Sequence, residues 1–126
     1  MADSMGWLTL WSSVSDLVYK RMTAIQLSLL PQQASEGVTY QHLKIRLTSA
    51  DGLITPEALK GVQLPEAIDW RQGVVIEGRA PIWLYGYLVH LCHPALWVAC
   101  YDSRLGAIVV ATHTHEVTVG QVLPLS

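Results

Sequence analysis

Hydrophobic and polar positions change rhythm along this chain, and each change marks an element. Between Met1 and Arg21, Trp7, Leu10, Trp11, Val14, Leu17 and Val18 recur at spacings of three and four, which predicts one apolar helical stripe if the segment folds. Met22 offers a second start, and the strand-like pattern begins only after it. Residues 1–21 therefore read as an N-terminal extension to which no role is given, and residues 22–126 as a single domain. Ala24 to Leu30 predicts a strand ended by Pro31, followed by a polar loop from Gln32 to Gly37. In Tyr40 to Leu47, Leu43, Ile45 and Leu47 alternate with His42, Lys44 and Arg46, so the pair is expected as a β-hairpin with one wet face and His42 as a solvated side chain. Thr55-Pro56-Glu57 combines an N-cap residue, a proline suited to the first helical position and an acid in the first turn, predicting a short helix to about Lys60.

From Gly73 the pattern sharpens. Val74-Val75-Ile76 is wholly apolar, as in a central strand covered on both faces. Gly78-Arg79-Ala80-Pro81 then turns the chain into a helix carrying Ile82, Trp83, Tyr85, Leu88, Val89 and Cys92, which Pro94 ends. Ala95 to Tyr101 predicts a strand, Asp102 to Gly106 a turn and Ala107 to His113 a further strand. Strand, helix, strand implies a crossover between parallel strands, with the next strand returning antiparallel. The fold class is therefore α/β: a small Rossmann-like domain with a mixed, mainly parallel sheet.

Composition narrows the partners. A chain of 126 residues suffices for one core and is short for two. No apolar run approaches the roughly 20 residues of a membrane span, so a soluble protein without a membrane partner is expected. The net charge is −2 with eight Lys and Arg, which argues against wrapping a long nucleic acid and for a small, specifically seated nucleotide. Cys92 and Cys100 lie in apolar surroundings, which suits a reducing, cytoplasmic setting. With 51% apolar residues and little charge, part of the surface is expected to be covered by another subunit.

Three groups could carry chemistry. Gly78-Arg79-Ala80-Pro81, between a strand and a helix start, could cradle a phosphate with backbone N–H groups and a guanidinium, or could be glycine serving turn geometry alone. Asp102-Ser103-Arg104-Leu105-Gly106 is either an ordinary solvated turn or an acid for a divalent cation beside an arginine for phosphate charge. His90 and His93 lie near a helix end, and His113 and His115 share a strand face. His93, just before Pro94, is placed to act as a general acid or base, although a loop histidine can equally be inert.

The run from Gly73 to Leu84, then His90, His93-Pro94, and Tyr101 through Val110 to His113 resembles the small type III CRISPR-associated ring nucleases sometimes called Csx-three, of the CARF superfamily. The match runs in order from about Ala24 to Leu123, and its specific part is Gly73 to His113. The resemblance implies a CARF-like dimer that binds cyclic tetraadenylate, the second messenger of type III CRISPR defence, and cleaves it with Mn2+ or another divalent cation. It also implies His93 and Asp102 as the catalytic pair, Gly78, Arg79, Pro81 and Arg104 as ligand-binding, and His93, Asp102 and His113 as metal-holding. Relatives described as deadenylating exoribonucleases would perform the same chemistry on an RNA 3′ end. A sensor or sink that holds the cyclic nucleotide without cutting it is the alternative of another class. The resemblance leads one to expect a small residue, often glycine, where Ala80 stands, and proline where Ser103 stands.

Strand polarity adds an expectation of its own. Gly78-Arg79 follow the carboxyl end of one strand, whereas His93 precedes the amino end of its parallel neighbour. A seven-residue strand spans roughly 20 Å. One subunit should therefore not bring His93 to a phosphate held by Arg79, and a tetramer or higher stack of dimers through the ligand is expected instead.

Overall fold

A computed structural model of the chain describes residues 24–49 and 51–125. The helical stripe expected within residues 1–21 lies outside the described residues. Among the described residues, six strands form one sheet in which each strand neighbours the next in sequence: β1 (Ile25–Ser35), β2 (Val38–Leu47), β3 (Gly73–Glu77), β4 (Trp97–Asp102), β5 (Gly106–Thr112) and β6 (Val122–Leu123). The α-helix α1 (Ile82–Leu91) joins β3 to β4. The described residues divide into two compact units, the smaller comprising Leu47–Val62 with the start of β1, the larger Leu27–Arg46 with the chain from Gln63 onward.

In the smaller unit, Thr48 N–H donates to the Ala24 carbonyl at 3.0 Å. The short helix predicted after Thr55 is present as a 3-10 helix over Pro56–Gly61, with Pro56 at its start, Glu57 in its first turn and Ala58 buried. Six residues leave little room for an α-type ladder, and the tighter bonding pattern closes more of them.

In the larger unit, β1 and β2 are joined by Glu36 (φ 50°) and Gly37 (φ 82°). Two successive left-handed residues make the two-residue turn whose twist matches an antiparallel hairpin. The hairpin is as expected, but β1 does not stop at Pro31: it continues to Ser35. β1 is the edge strand of the sheet, where one side of the backbone is unpaired and a residue without an N–H is tolerated. β2 differs more. Its predicted wet face is absent, because β3 pairs parallel along its other side, with Tyr40 opposite Gly73 and Lys44 opposite Glu77. Tyr40, Gln41, His42 and Leu43 are consequently all buried, and His42 is not solvated.

Val74, Val75 and Ile76 are wholly buried, as their unbroken apolar run predicted. The α1 side chains Leu84 and Leu88 pack inward over one face, and Val38, Tyr40, Val75, Trp97, Ala99 and Val109 belong to a cluster on the other. Gly73 makes that cluster possible: a Cβ there would meet the Trp97 indole at 2.0 Å. α1 begins one residue later than predicted, with Pro81 as its N-cap (φ −62°, ψ 153°) rather than its first helical residue.

β3 and β4 are parallel across α1 and β5 returns antiparallel, as expected. The sheet is nevertheless not mainly parallel. β2–β3 and β3–β4 are parallel ladders, whereas β4–β5 and β5–β6 are antiparallel. The links Ser103–Leu105 and His113–Gln121 hold no crossover helix, so those strands can only fold back. The strand order is sequential, without the reversal that marks a doubly wound sheet. The finding is a mixed α/β sheet with a parallel centre.

Candidate functional site

The predicted site residues fall at two opposite ends of β4. At its carboxyl end, the turn Ser103–Leu105 begins with Asp102, whose Oδ1 accepts the Arg104 N–H at 2.8 Å and the Leu105 N–H at 3.2 Å. The Arg104 guanidinium stands 3.7 Å from the same oxygen, mostly in solvent. The backbone N–H of Arg104, more than its guanidinium, holds the Asp102 carboxyl below the usual carboxylate range. Asp102 is therefore an ionised turn-forming acid, with one oxygen engaged in the turn.

Gly78 and Arg79 lie at the same end. Ile76 pairs with Cys100 in the parallel β3–β4 ladder, so two residues on Gly78 draws level with Asp102. Gly78 has φ +151°, and a Cβ would meet both Cβ and the carbonyl oxygen of Ile45 at 2.6 Å. Its glycine is thus required by the approach of β2. The Tyr85 hydroxyl, one turn into α1, donates to the Gly78 carbonyl at 2.6 Å and ties the turn to the helix. Arg79 is exposed and Pro81 half-buried at the helix entrance.

Just before this turn is a group that the sequence pattern did not reveal. The Glu77 carboxylate contacts His42 Nε2 directly and stands 3.6 Å from Lys44 Nζ. Burial lowers the His42 pKa, outweighing the opposite pull of Glu77, and Lys44 adds to the lowering. A neutral imidazole therefore lies against Glu77, with its buried Nε2 in contact with the carboxylate but outside hydrogen-bond geometry. The signal that could have found it is the parallel register, which sets Lys44 beside Glu77 and which no local pattern displays.

At the amino end of β4, His93 and His113 meet. Their rings are edge to face with centroids 4.9 Å apart. His113 Nε2 lies 3.0 Å from the His93 carbonyl oxygen, an acceptor only, so Nε2 carries a proton and donates it to that oxygen. His113 N–H donates to the Leu96 carbonyl at 2.9 Å, fixing the end of β5 against the chain that enters β4. His90, His93 and His113 rim a hollow of about 290 Å³ whose other lining residues are Gly86, Val89, Ala95, Val98 and Ala111. His115 is absent from that hollow and lines a second one with Thr112, Thr114 and Thr118.

The structure thus joins His93 with His113 and with His90, and it sets Gly78, Arg79, Asp102 and Arg104 at the opposite edge. From Trp97 to Asp102 is five strand steps, roughly 16 Å. One chain does not bring Asp102 to His93 and His113, and among the described residues no three His, Cys, Asp or Glu side chains converge on a cation position. The metal set implied by the resemblance therefore does not fit within a single chain. The cysteines add no nucleophile: burial pushes the Cys92 thiol up to about 11 and raises that of Cys100. No helix among the described residues is long and apolar enough to cross a membrane.

A protein of Aquifex aeolicus (strain VF5), described only as an uncharacterized protein, is 40% identical over 74 residues, covering 56% of this chain and 67% of its own. The sequence profile of the family described as CRISPR-associated protein (Cas_csx3) matches residues 47–124, which span β3, α1, β4, β5 and both clusters of candidate residues. The chain belongs to the Cas_csx3 family of CRISPR-associated proteins.

Proposed function

We propose that this protein is a ring nuclease that binds cyclic tetraadenylate on the Gly78–Arg79 and Asp102–Arg104 edge of one copy and cleaves it with His93 of another. The observation that carries this reading is the separation of the two edges along β4. Arg79 and Arg104, both exposed at the carboxyl edge, supply charge for phosphates. His93 is exposed at the other edge, and its ring lies edge to face with that of His113, whose Nε2 hydrogen bond to the His93 carbonyl holds the pair together. An imidazole so held exchanges a proton with the ribose 2′-hydroxyl, a water or the leaving oxygen. Because the ligand is a closed ring of nucleotides joined by repeating phosphodiesters, it offers equivalent groups to more than one protein copy, so two copies can engage it at once.

The test mixes two inactive variants. His93→Ala keeps the arginine edge, and Arg79→Ala keeps the histidine edge, so each alone is expected to cleave cyclic tetraadenylate poorly. Mixed in equal amounts, they should recover a substantial part of the wild-type rate, measured as linear product by mass spectrometry. No recovery on mixing, with both variants folded, overturns the division of the site between copies. Parallel reactions with Mn2+ and with a chelator establish whether a cation takes part. Binding of the cyclic nucleotide without product under every cation condition would instead identify a sensor or sink.

A further inference from the structure

Gly86 sits in the middle of α1, where its backbone is helical and nothing lies within 4 Å of the position a Cβ would occupy. Neither conformation nor packing demands glycine there, and glycine inside a helix costs about 1 kcal/mol relative to alanine. The space that the missing side chain leaves open is the hollow of about 290 Å³ beside His93. Val89, Val98 and Ala111 give it apolar walls, the imidazoles of His90, His93 and His113 stand at its rim, and no acidic or basic carboxylate, ammonium or guanidinium group lines it.

That lining selects a ligand by shape and by polar edge instead of by charge. Its volume is at the bottom of the range of about 300–1,000 Å³ typical of small-molecule pockets, enough for one ring system and too small for a dinucleotide. A flat heteroaromatic ring gains apolar contact on its faces, while its ring nitrogens meet imidazole donors and acceptors at the rim. We propose that the hollow is a base subsite, seating one purine of the nucleotide whose phosphodiester is cut at His93, and that Gly86 is kept side-chain-free to admit it. The subsite deepens the ring-nuclease reading and rests on it for the phosphodiester, but the seat for the base can be tested without one.

Adenosine, which has no phosphate, is the direct probe. Titrated into the wild-type protein, it is expected to shift the imidazole C–H resonances of His90, His93 and His113 saturably, whereas ribose 5-phosphate should leave them in place. Gly86→Ala and Gly86→Leu progressively fill the hollow. Gly86→Ala should raise the melting temperature, because helix propensity improves, yet weaken the adenosine response, and Gly86→Leu should abolish it. A purely structural glycine predicts the stability change without any change in binding. With cyclic tetraadenylate, Gly86→Leu should raise KM by about tenfold or more, the equivalent of 1.4 kcal/mol. No saturable adenosine shift in the wild type, or an undiminished shift in Gly86→Leu, overturns the subsite. If adenosine binds in a Gly86-dependent way but cyclic tetraadenylate is not cleaved, the subsite stands and the ring-nuclease reading falls. If cyclic tetraadenylate is cleaved with unchanged KM by Gly86→Leu, the reverse holds.

Discussion

His42 shows how one buried group couples this fold to pH. Its imidazole faces Glu77 and Lys44, with the Tyr40 ring 6.4 Å away, and burial holds its pKa below the ordinary value of 6.5. The unfolded chain therefore binds a proton at a pH where the folded chain does not. Stability from this group is complete above about pH 6.5 and is lost as pH falls from there through the lower folded value. Asp102 has the same sign in a lower window: its depressed pKa contributes stability above its ordinary 3.8, lost as pH falls through the folded value. His42→Gln, which keeps a polar group beside Glu77, should flatten the melting temperature between pH 7.5 and pH 5 while leaving the slope at lower pH in place. An equally steep decline in the variant would remove His42 as the source. Neither effect was legible in the sequence, where His42 alternates with apolar residues as a solvated side chain does.

Among the elements, β3 and α1 use glycine for opposite reasons, and substitution separates them. At Gly73, at the start of β3, a Cβ would lie 2.0 Å from an indole that is itself 1% exposed and has nowhere to move. Gly73→Ala should therefore destabilise by about 1–3 kcal/mol, as overpacking of a core does. Combining it with Trp97→Leu should cost less than the two single changes added together, read from denaturant unfolding. At Gly86 in α1 the same substitution meets open space and is favourable to the fold. The elements from β3 to β5 were legible because their signals are local: an unbroken apolar run, Pro81 and Pro94 around a helix, and an Asp-Ser-Arg-Leu-Gly turn. The full length of β1 is not legible locally, because whether Pro31 ends a strand depends on whether that strand is at an edge, and edges are not a local property.

For the whole molecule, the two ends of β4 set the expected kinetics. If the site is divided between copies, activity per chain depends on how often copies meet over one ligand. At a fixed concentration of cyclic tetraadenylate in excess over protein, the rate per chain should rise with protein concentration until the assembly is saturated. Strict proportionality to protein over the whole dilution series would show that one stable unit holds everything needed. If a cation takes part, Asp102 and His93 of one chain stand too far apart to share it and can do so only across copies, so Asp102→Asn should weaken activity and its concentration dependence together.

By itself the sequence determined the mixed α/β character, the strand-helix-strand crossover, the turn at Asp102 and the family, because each is written in residues close together along the chain. It also placed the arginine turn and His93 at opposite strand ends, since strand polarity follows from the order of elements alone. Tertiary structure decided which side chains meet. Pairing of β4 with β5 brings His113 to His93, and pairing of β2 with β3 buries His42 against Glu77 and makes Gly78 a point of contact with Ile45. Those meetings depend on the register between strands, which is fixed by the packing of both sheet faces and leaves no mark within any one segment.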